Sequence, residues 1–184
     1  MKTLHSIQEN IMGDKAIFEI ELPNRDNVFM SVSEDSLKKY HVVIVEAQSF
    51  LELWRNDPGN IHSEISHGDI QSWENDHKYK YAEQGFSHGI DNPVPLAKVA
   101  FNTDVEKKPV YEQKFFFFKK LERVEREIIE YVSFIDGITR TIWLLSKGAK
   151  YFPLKCISGG QELARVTGYK DDPIKSINQI FIDT

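Results

Sequence analysis

One cysteine, Cys156, stands among 184 residues, which excludes an internal disulfide framework. No run approaches the ~18 apolar residues needed to cross a bilayer, so no membrane insertion is expected. Met1-Lys2-Thr3-Leu4-His5 opens without the apolar stretch of a signal peptide, and a cytoplasmic protein is the expectation. A Gly-x-x-x-x-Gly-Lys-Ser/Thr segment is missing, which excludes a P-loop nucleotide site. An excess of positive charge is missing too. Lys and Arg number 23 against 28 Asp and Glu, a net charge of −5, which disfavours a charge-driven coat on DNA. There is no internal repeat, and low complexity is confined to Phe115-Phe116-Phe117-Phe118.

What is there is ordinary globular composition, 41% hydrophobic and 28% charged. A chain of this length fits one domain over 1–184 and buries roughly 70% of its unfolded surface. The charge is uneven: residues 1–106 carry a balance of −9, residues 107–155 one of +5, and residues 156–184 one of −1. A charged helix face and a basic surface turned toward phosphates both fit the central block.

Hydrophobic periodicity predicts a strand over Lys15–Leu22, a turn at Asn24–Asn27 and a returning strand over Val28–Val32. Ser33, Ser36 and Leu37 suggest a short helix. The apolar run inside His41–Ala47 predicts a buried strand. Ser49 with Glu52 has capping-box spacing for a helix that Asp57-Pro58-Gly59-Asn60 stops. A helix is expected over Asp69–Glu83, then loop through Gly85, Gly89 and Asn92-Pro93. Pro95–Phe101 reads as a strand. Lys119–Ile129 reads as a helix with Leu121, Val124 and Ile128 on one stripe. Strand 131–135, helix 138–147 and strand 151–157 are expected to form a βαβ-like unit against strand 95–101, with Ile138, Ile142 and Leu145 facing the sheet. A short helix over Gly160–Val166, with Ser158 as N-cap, closes at Gly168. The class is α/β.

The most informative stretch runs from Tyr131 to Leu145, where a strand meets a glycine turn that opens a helix. The first N–H groups of a helix lack partners within it and attract anions. Gly137 allows close approach of the backbone, Thr139 adds a hydroxyl, and Arg140 adds a fork matched to two phosphate oxygens. An ordinary strand-to-helix turn, with its Arg paired to a carboxylate, has the same pattern.

Phe134-Ile135-Asp136-Gly137-Ile138-Thr139-Arg140, an apolar helix, and then Gly148-Ala149-Lys150-Tyr151-Phe152-Pro153-Leu154 resemble the Gly-x-x-Arg box of the ParB/sulfiredoxin fold. Pro93-Val94-Pro95-Leu96-Ala97-Lys98-Val99 resembles the Pro-containing strand that opens that fold. The resemblance covers about residues 93–157 as a compact mixed-sheet core, with residues 1–92 as an N-terminal α/β elaboration and 158–184 as a C-terminal helix and tail. In length, and in Trp54-Arg55-Asn56-Asp57-Pro58-Gly59 with Gly137-Ile138-Thr139-Arg140, the chain is similar to the plasmid fertility inhibition factors. Members of that family block conjugative DNA transfer through type IV secretion systems.

That resemblance implies nucleotide- and DNA-directed activity, as an NTPase, a DNase or both. Gly137, Ile138, Thr139 and Arg140 would bind nucleotide phosphate, with Arg140 and Asp136 catalytic. On charge rather than resemblance, Lys98, Lys114, Lys119 and Lys120 would meet DNA. ATP or another nucleotide and Mg²⁺ are the expected cofactors. DNA and a type IV secretion coupling protein, or its DNA substrate complex, are the expected partners. Ile138 departs from the pattern: it stands where sulfiredoxins carry the nucleophile and ParB proteins a metal-holding glutamate, so any metal role falls to Asp136 or a residue elsewhere. Two rival readings stay open, a non-enzymatic protein that blocks the coupling protein or secretion ATPase, and a nucleotide-gated DNA-binding switch.

Other constellations are weaker. Ile157–Val166 looks like an ABC ATPase signature, but the P-loop that must accompany it is absent. His62, His67, His77 and His88 lie near Glu64, Asp69 and Asp91 without the helical spacing of a metal motif. Cys156 lies in an apolar strand pattern and reads as core. Trp54, Trp73, Tyr79, Tyr81 and Phe86 suit either base stacking or the core.

Overall fold

A computed structural model describes residues 4–9, 13–34, 40–114 and 118–182. The smaller of two sheets has the order β1-β2-β3-β5, from Ser6–Gln8, Lys15–Ile20, Val28–Ser33 and Val94–Pro95. The hairpin expected from the first two alternating segments is present, with Lys15 opposite Ser33 and Ile20 opposite Val28. Val94–Pro95 adds to β3 in parallel.

The second sheet has the order β7-β6-β8-β4-β9. β4 (His41–Glu46) lies between β8 (Tyr151–Cys156) and β9 (Ile174–Ser176), antiparallel to both. Its run Val42-Val43-Ile44-Val45 is buried because neighbouring strands flank it and helices cover it. β6 (Ala97–Lys114) runs parallel to β8 and antiparallel to β7 (Phe118–Asp136). Between β4 and β5 come α1 (Ala47–Arg55), α2 (Ser63–Ser66), α3 (Ile70–Glu74) and α4 (Tyr79–Ser87). α5 (Ile138–Ser146) follows β7, α6 (Gly160–Thr167) follows β8, and α7 (Ile177–Ile182) ends the described chain. The fold is mixed α/β, as its class was read.

Several local expectations are corrected. Lys119–Ile129 is not a helix but part of β7, paired along its length with β6. Its charges suit either structure, but Ile128 is 70% exposed, so no core receives the supposed apolar stripe. Cross-strand pairing supplies the backbone partners instead, and overrides helix propensity. The helix over Asp69–Glu83 is two helices, broken where the Asp76 carboxylate accepts from the Lys78 N–H at 2.8 Å. Gly85 lies inside α4 rather than in loop. α6 is preceded by left-handed Gly159, not capped by Ser158. The short helix suggested near Ser36 and Leu37, and Phe115–Phe117, fall outside the described residues.

Capping of α1 is also reversed: Glu46 is the cap and Ser49 the donor, N–H to Oε2 2.7 Å. Burial raises the Glu46 pKa, but the bonds from Ser49 outweigh it and hold the carboxyl below its usual range. Glu46→Ala is expected to cost about 1 kcal/mol in urea unfolding at neutral pH. A depressed folded pKa adds stability above the unfolded pKa and loses it as pH falls through the folded one. The difference between variant and wild type should therefore shrink in acid.

The strand–helix–strand unit is present with a different geometry. β6 lies between β7 and β8, so β8 runs antiparallel to β7. The stripe of Ile138, Ile142 and Leu145 packs with Leu51, Trp54 and Trp73 of α1 and α3, and the sheet adds only Phe134 to that cluster. Trp143 and Leu144 enter the main core, with Trp143 stacked on Phe86 at 4.3 Å. α5 is thus buried on two sides, which anchors its N-terminus.

Candidate functional site

β7 ends at Asp136, and Gly137 turns the chain into α5 with φ 97°. A Cβ here would lie 2.6 Å from the Ala97 Cβ and 2.8 Å from the Ala97 Cα, and would strike the Arg140 guanidinium. Glycine is therefore required both for the left-handed backbone and for the close approach of β6. No side chain caps α5. Thr141 makes the first turn's bond, N–H to the Gly137 carbonyl at 3.1 Å, and its hydroxyl donates to the same oxygen at 3.0 Å. The N–H groups of Ile138, Thr139 and Arg140 find no acceptor among the described residues.

Arg140 pairs through Nη2 with the Asp136 carboxylate, as the ordinary-turn alternative would have it. The pair is asymmetric: the Arg140 side chain is 16% exposed and that of Asp136 71%. Arg140 Nε is buried without a partner. The guanidinium is thus held by the fold, while the carboxylate that neutralises it lies in solvent.

The turn forms one wall of an open cleft of about 930 Å³. The facing wall is the loop after α1, including Asp57, Asn60 and His62, together with Lys78 and Tyr81 at α4. Two segments about eighty residues apart in sequence, Trp54–Gly59 and Gly137–Arg140, thus meet across one space. The loop is shaped locally: Asp57 Oδ1 accepts from the Gly59 N–H at 3.0 Å, and Asn60 Oδ1 from the His62 N–H at 2.9 Å.

Gly137, Ile138, Thr139, Arg140 and Asp136 come together at this cleft. Lys98 is beside it, opposite Asp136 in the β6–β7 register, and lines an adjoining cleft that Asp136 shares. Lys114, Lys119 and Lys120 are elsewhere. They sit at the far end of the β6–β7 ribbon, about 50 Å from Lys98 by strand rise. Of the aromatics, Trp54, Trp73, Tyr79 and Phe86 are buried and serve packing, while Tyr81 is exposed at the cleft. Lys78 and His62 were not singled out for this site from sequence, because only the fold of the α1–α4 region brings them to the turn. Cys156 is buried, and burial pushes its thiol pKa up, as suits a core residue. Among the described residues no three His, Cys, Asp or Glu side chains converge as a metal site.

The chain belongs to the plasmid fertility inhibition factor family, whose pattern matches residues 42–168. That span includes both walls of the cleft. Protein osa of Shigella flexneri is 26% identical over 141 residues, covering 77% of this chain and 61% of that protein. The chain therefore matches less than two thirds of that relative's length. The crystal structure of Oncogenic Suppression Activity Protein, described as a plasmid fertility inhibition factor, superposes with TM-score 0.66 at 21% identity, covering 95% of this chain and 79% of that one. The fold is shared.

Proposed function

We propose that the cleft binds a phosphate group, of a nucleotide and of DNA, and that the protein inhibits conjugative DNA transfer through this site. The observation that carries the reading is the uncapped N-terminus of α5, open to the cleft, with the buried, unpartnered Arg140 Nε beside it. An incoming phosphate meets the free N–H groups of residues 138–140 and the Thr139 side chain. It also competes with exposed Asp136 for the Arg140 fork. Asp136, released from Arg140, would take a proton from water as the water oxygen bonds to phosphorus and the phosphorus–oxygen bond to the departing nucleotide or DNA end breaks, which is NTPase or DNase activity. Among the described residues no side chains converge as a resident metal site, so Mg²⁺ would arrive with the phosphates of ATP or another nucleotide. The order of strand, Gly-x-x-Arg turn, helix and Pro-containing strand supports the ParB/sulfiredoxin-like reading of residues 93–157.

Titration of ATP and a short labelled duplex against purified variants tests the site. Thr139→Ala should weaken binding by about 1 kcal/mol. Arg140→Ala should cost about 2–4 kcal/mol, and Arg140→Lys should recover only part, since Lys lacks the planar fork. Unchanged affinity for Arg140→Ala, with the circular dichroism of the wild type, would overturn the assignment. Transfer frequency measured beside hydrolysis tells the readings of mechanism apart. Loss of both together in Arg140→Ala supports catalysis, and suppression without hydrolysis supports a blocking interaction.

A further inference from the structure

We propose that one face of the β6–β7 ribbon is a docking surface for an acidic, apolar segment of a partner protein. Beyond Phe101 and Val132 the two strands leave the sheet and pair only with each other. Residues 103–109 and 123–128 are exposed on both faces. A lone two-stranded ribbon in water has little to hold it, so a ribbon this long is a surface in want of a cover.

The register separates its two faces chemically. On one, Val105 lies opposite Ile128, Lys107 opposite Arg126, and Pro109 opposite Val124. On the other, Asp104 lies opposite Ile129, Glu106 opposite Glu127, and Lys108 opposite Glu125. Charges on this second face satisfy one another: Lys108 pairs with Glu127 and with Glu106, and Arg123 pairs with Glu125. On the first face they do not. Lys107 and Arg126 have no carboxylate partner among the described residues, and like charges directly opposite each other destabilise a ladder. Glu130, the acid on this face toward the sheet, is taken by Arg165. Apolar side chains bracket the two cations, with Val105 and Val124 48% exposed and Ile128 70% exposed.

Burying that face therefore requires a partner that is apolar at two levels and negative between them. A second copy does not supply it. A two-fold contact centred on this face would stack Lys107 and Arg126 on their own equivalents, and stacking one face on the opposite face of the next copy does not close. Nucleic acid fits less well than protein. Asp104, Glu106, Glu125 and Glu127 lie on the reverse of a thin ribbon, within a Debye length of any phosphates along its edges. A protein segment with carboxylates flanked by apolar side chains matches the face in both respects. This inference is independent of the cleft reading.

The test is selection of random peptides displayed on phage against the full chain. Wild type should enrich acidic sequences with flanking apolar residues. The charge swap K107E/R126E should lose those peptides and enrich basic ones, and a selected peptide should bind the swap at least about tenfold more weakly. V105T/I128T should weaken the same peptide while keeping its charge preference. The reverse-face variant E106Q/E127Q should bind it like wild type. Circular dichroism and thermal unfolding, unchanged in all of these, show that the variants are folded. Enrichment without acidic bias, equal enrichment by K107E/R126E, or loss of binding in E106Q/E127Q would overturn the proposal. So would a short DNA duplex whose affinity falls about tenfold in K107E/R126E while no peptide is selected, because the partner would then be nucleic acid.

Discussion

Trp54→Ala is expected to lower the unfolding free energy by about 3–5 kcal/mol, the usual range for truncating a buried large aromatic. Trp54 is 1% exposed and belongs to the cluster of Leu51, Trp73 and Ile142. Its ring meets Phe134 of β7 edge-on at 4.8 Å. It therefore joins α1, α3, α5 and the sheet, and leads directly into the Asp57–His62 loop. Urea unfolding should show a lower midpoint with an unchanged slope. On the proposed function, phosphate binding at the cleft should weaken at denaturant concentrations where the variant is still folded, because one wall rests on this ring. A loss under about 1 kcal/mol would mean that the neighbouring side chains collapse into the space.

Gly137→Ala is expected to cost about 2–4 kcal/mol, as left-handed strain of about 1–3 kcal/mol plus a collision. The collision is with the backbone of β6: a Cβ would lie 2.8 Å from the Ala97 Cα, so a strand and not only a side chain must yield. The turn should reshape before the domain unfolds, since α5 is held on two sides by Trp143 and Ile142. On the proposed function, phosphate affinity should consequently fall by more than thermal stability does. Gly137→Asn separates the two causes. Asparagine tolerates a positive φ but brings the same Cβ, so full recovery in Gly137→Asn would show that φ matters and contact does not. We expect partial recovery, with the strain relieved and the collision with β6 kept. Calorimetric titration of ATP beside thermal unfolding of the three proteins reads both quantities.

Gly137 and Arg140 were legible because a strand, a glycine turn and an apolar helix follow one another within fifteen residues, and local sequence sets such a turn. Trp54 was legible as one aromatic of a helix, but its partner Phe134 lies eighty residues on. Its role as the bridge between the two walls depends on a long-range contact that periodicity does not encode. Lys114, Lys119 and Lys120 illustrate the same limit. Their place in the basic block of residues 107–155 made them candidates, and a strand rise of about 3.3 Å per residue carries them far from the turn.

The sequence by itself determined the mixed α/β class, the β2–β3 hairpin, the buried run of β4 and the glycine turn into α5, because alternation, turn residues and helix ends act over a few residues. Tertiary structure alone decided that Lys119–Ile129 is strand, since its charged residues satisfy either period and only pairing with β6 settles the backbone hydrogen bonds. It alone decided that the stripe of α5 faces helices, because a stripe marks what is buried and not what covers it. It also placed the Asp57–His62 loop opposite Arg140. A cleft is made by elements that meet in space, and the free energy of that meeting lies in contacts between residues remote in the chain.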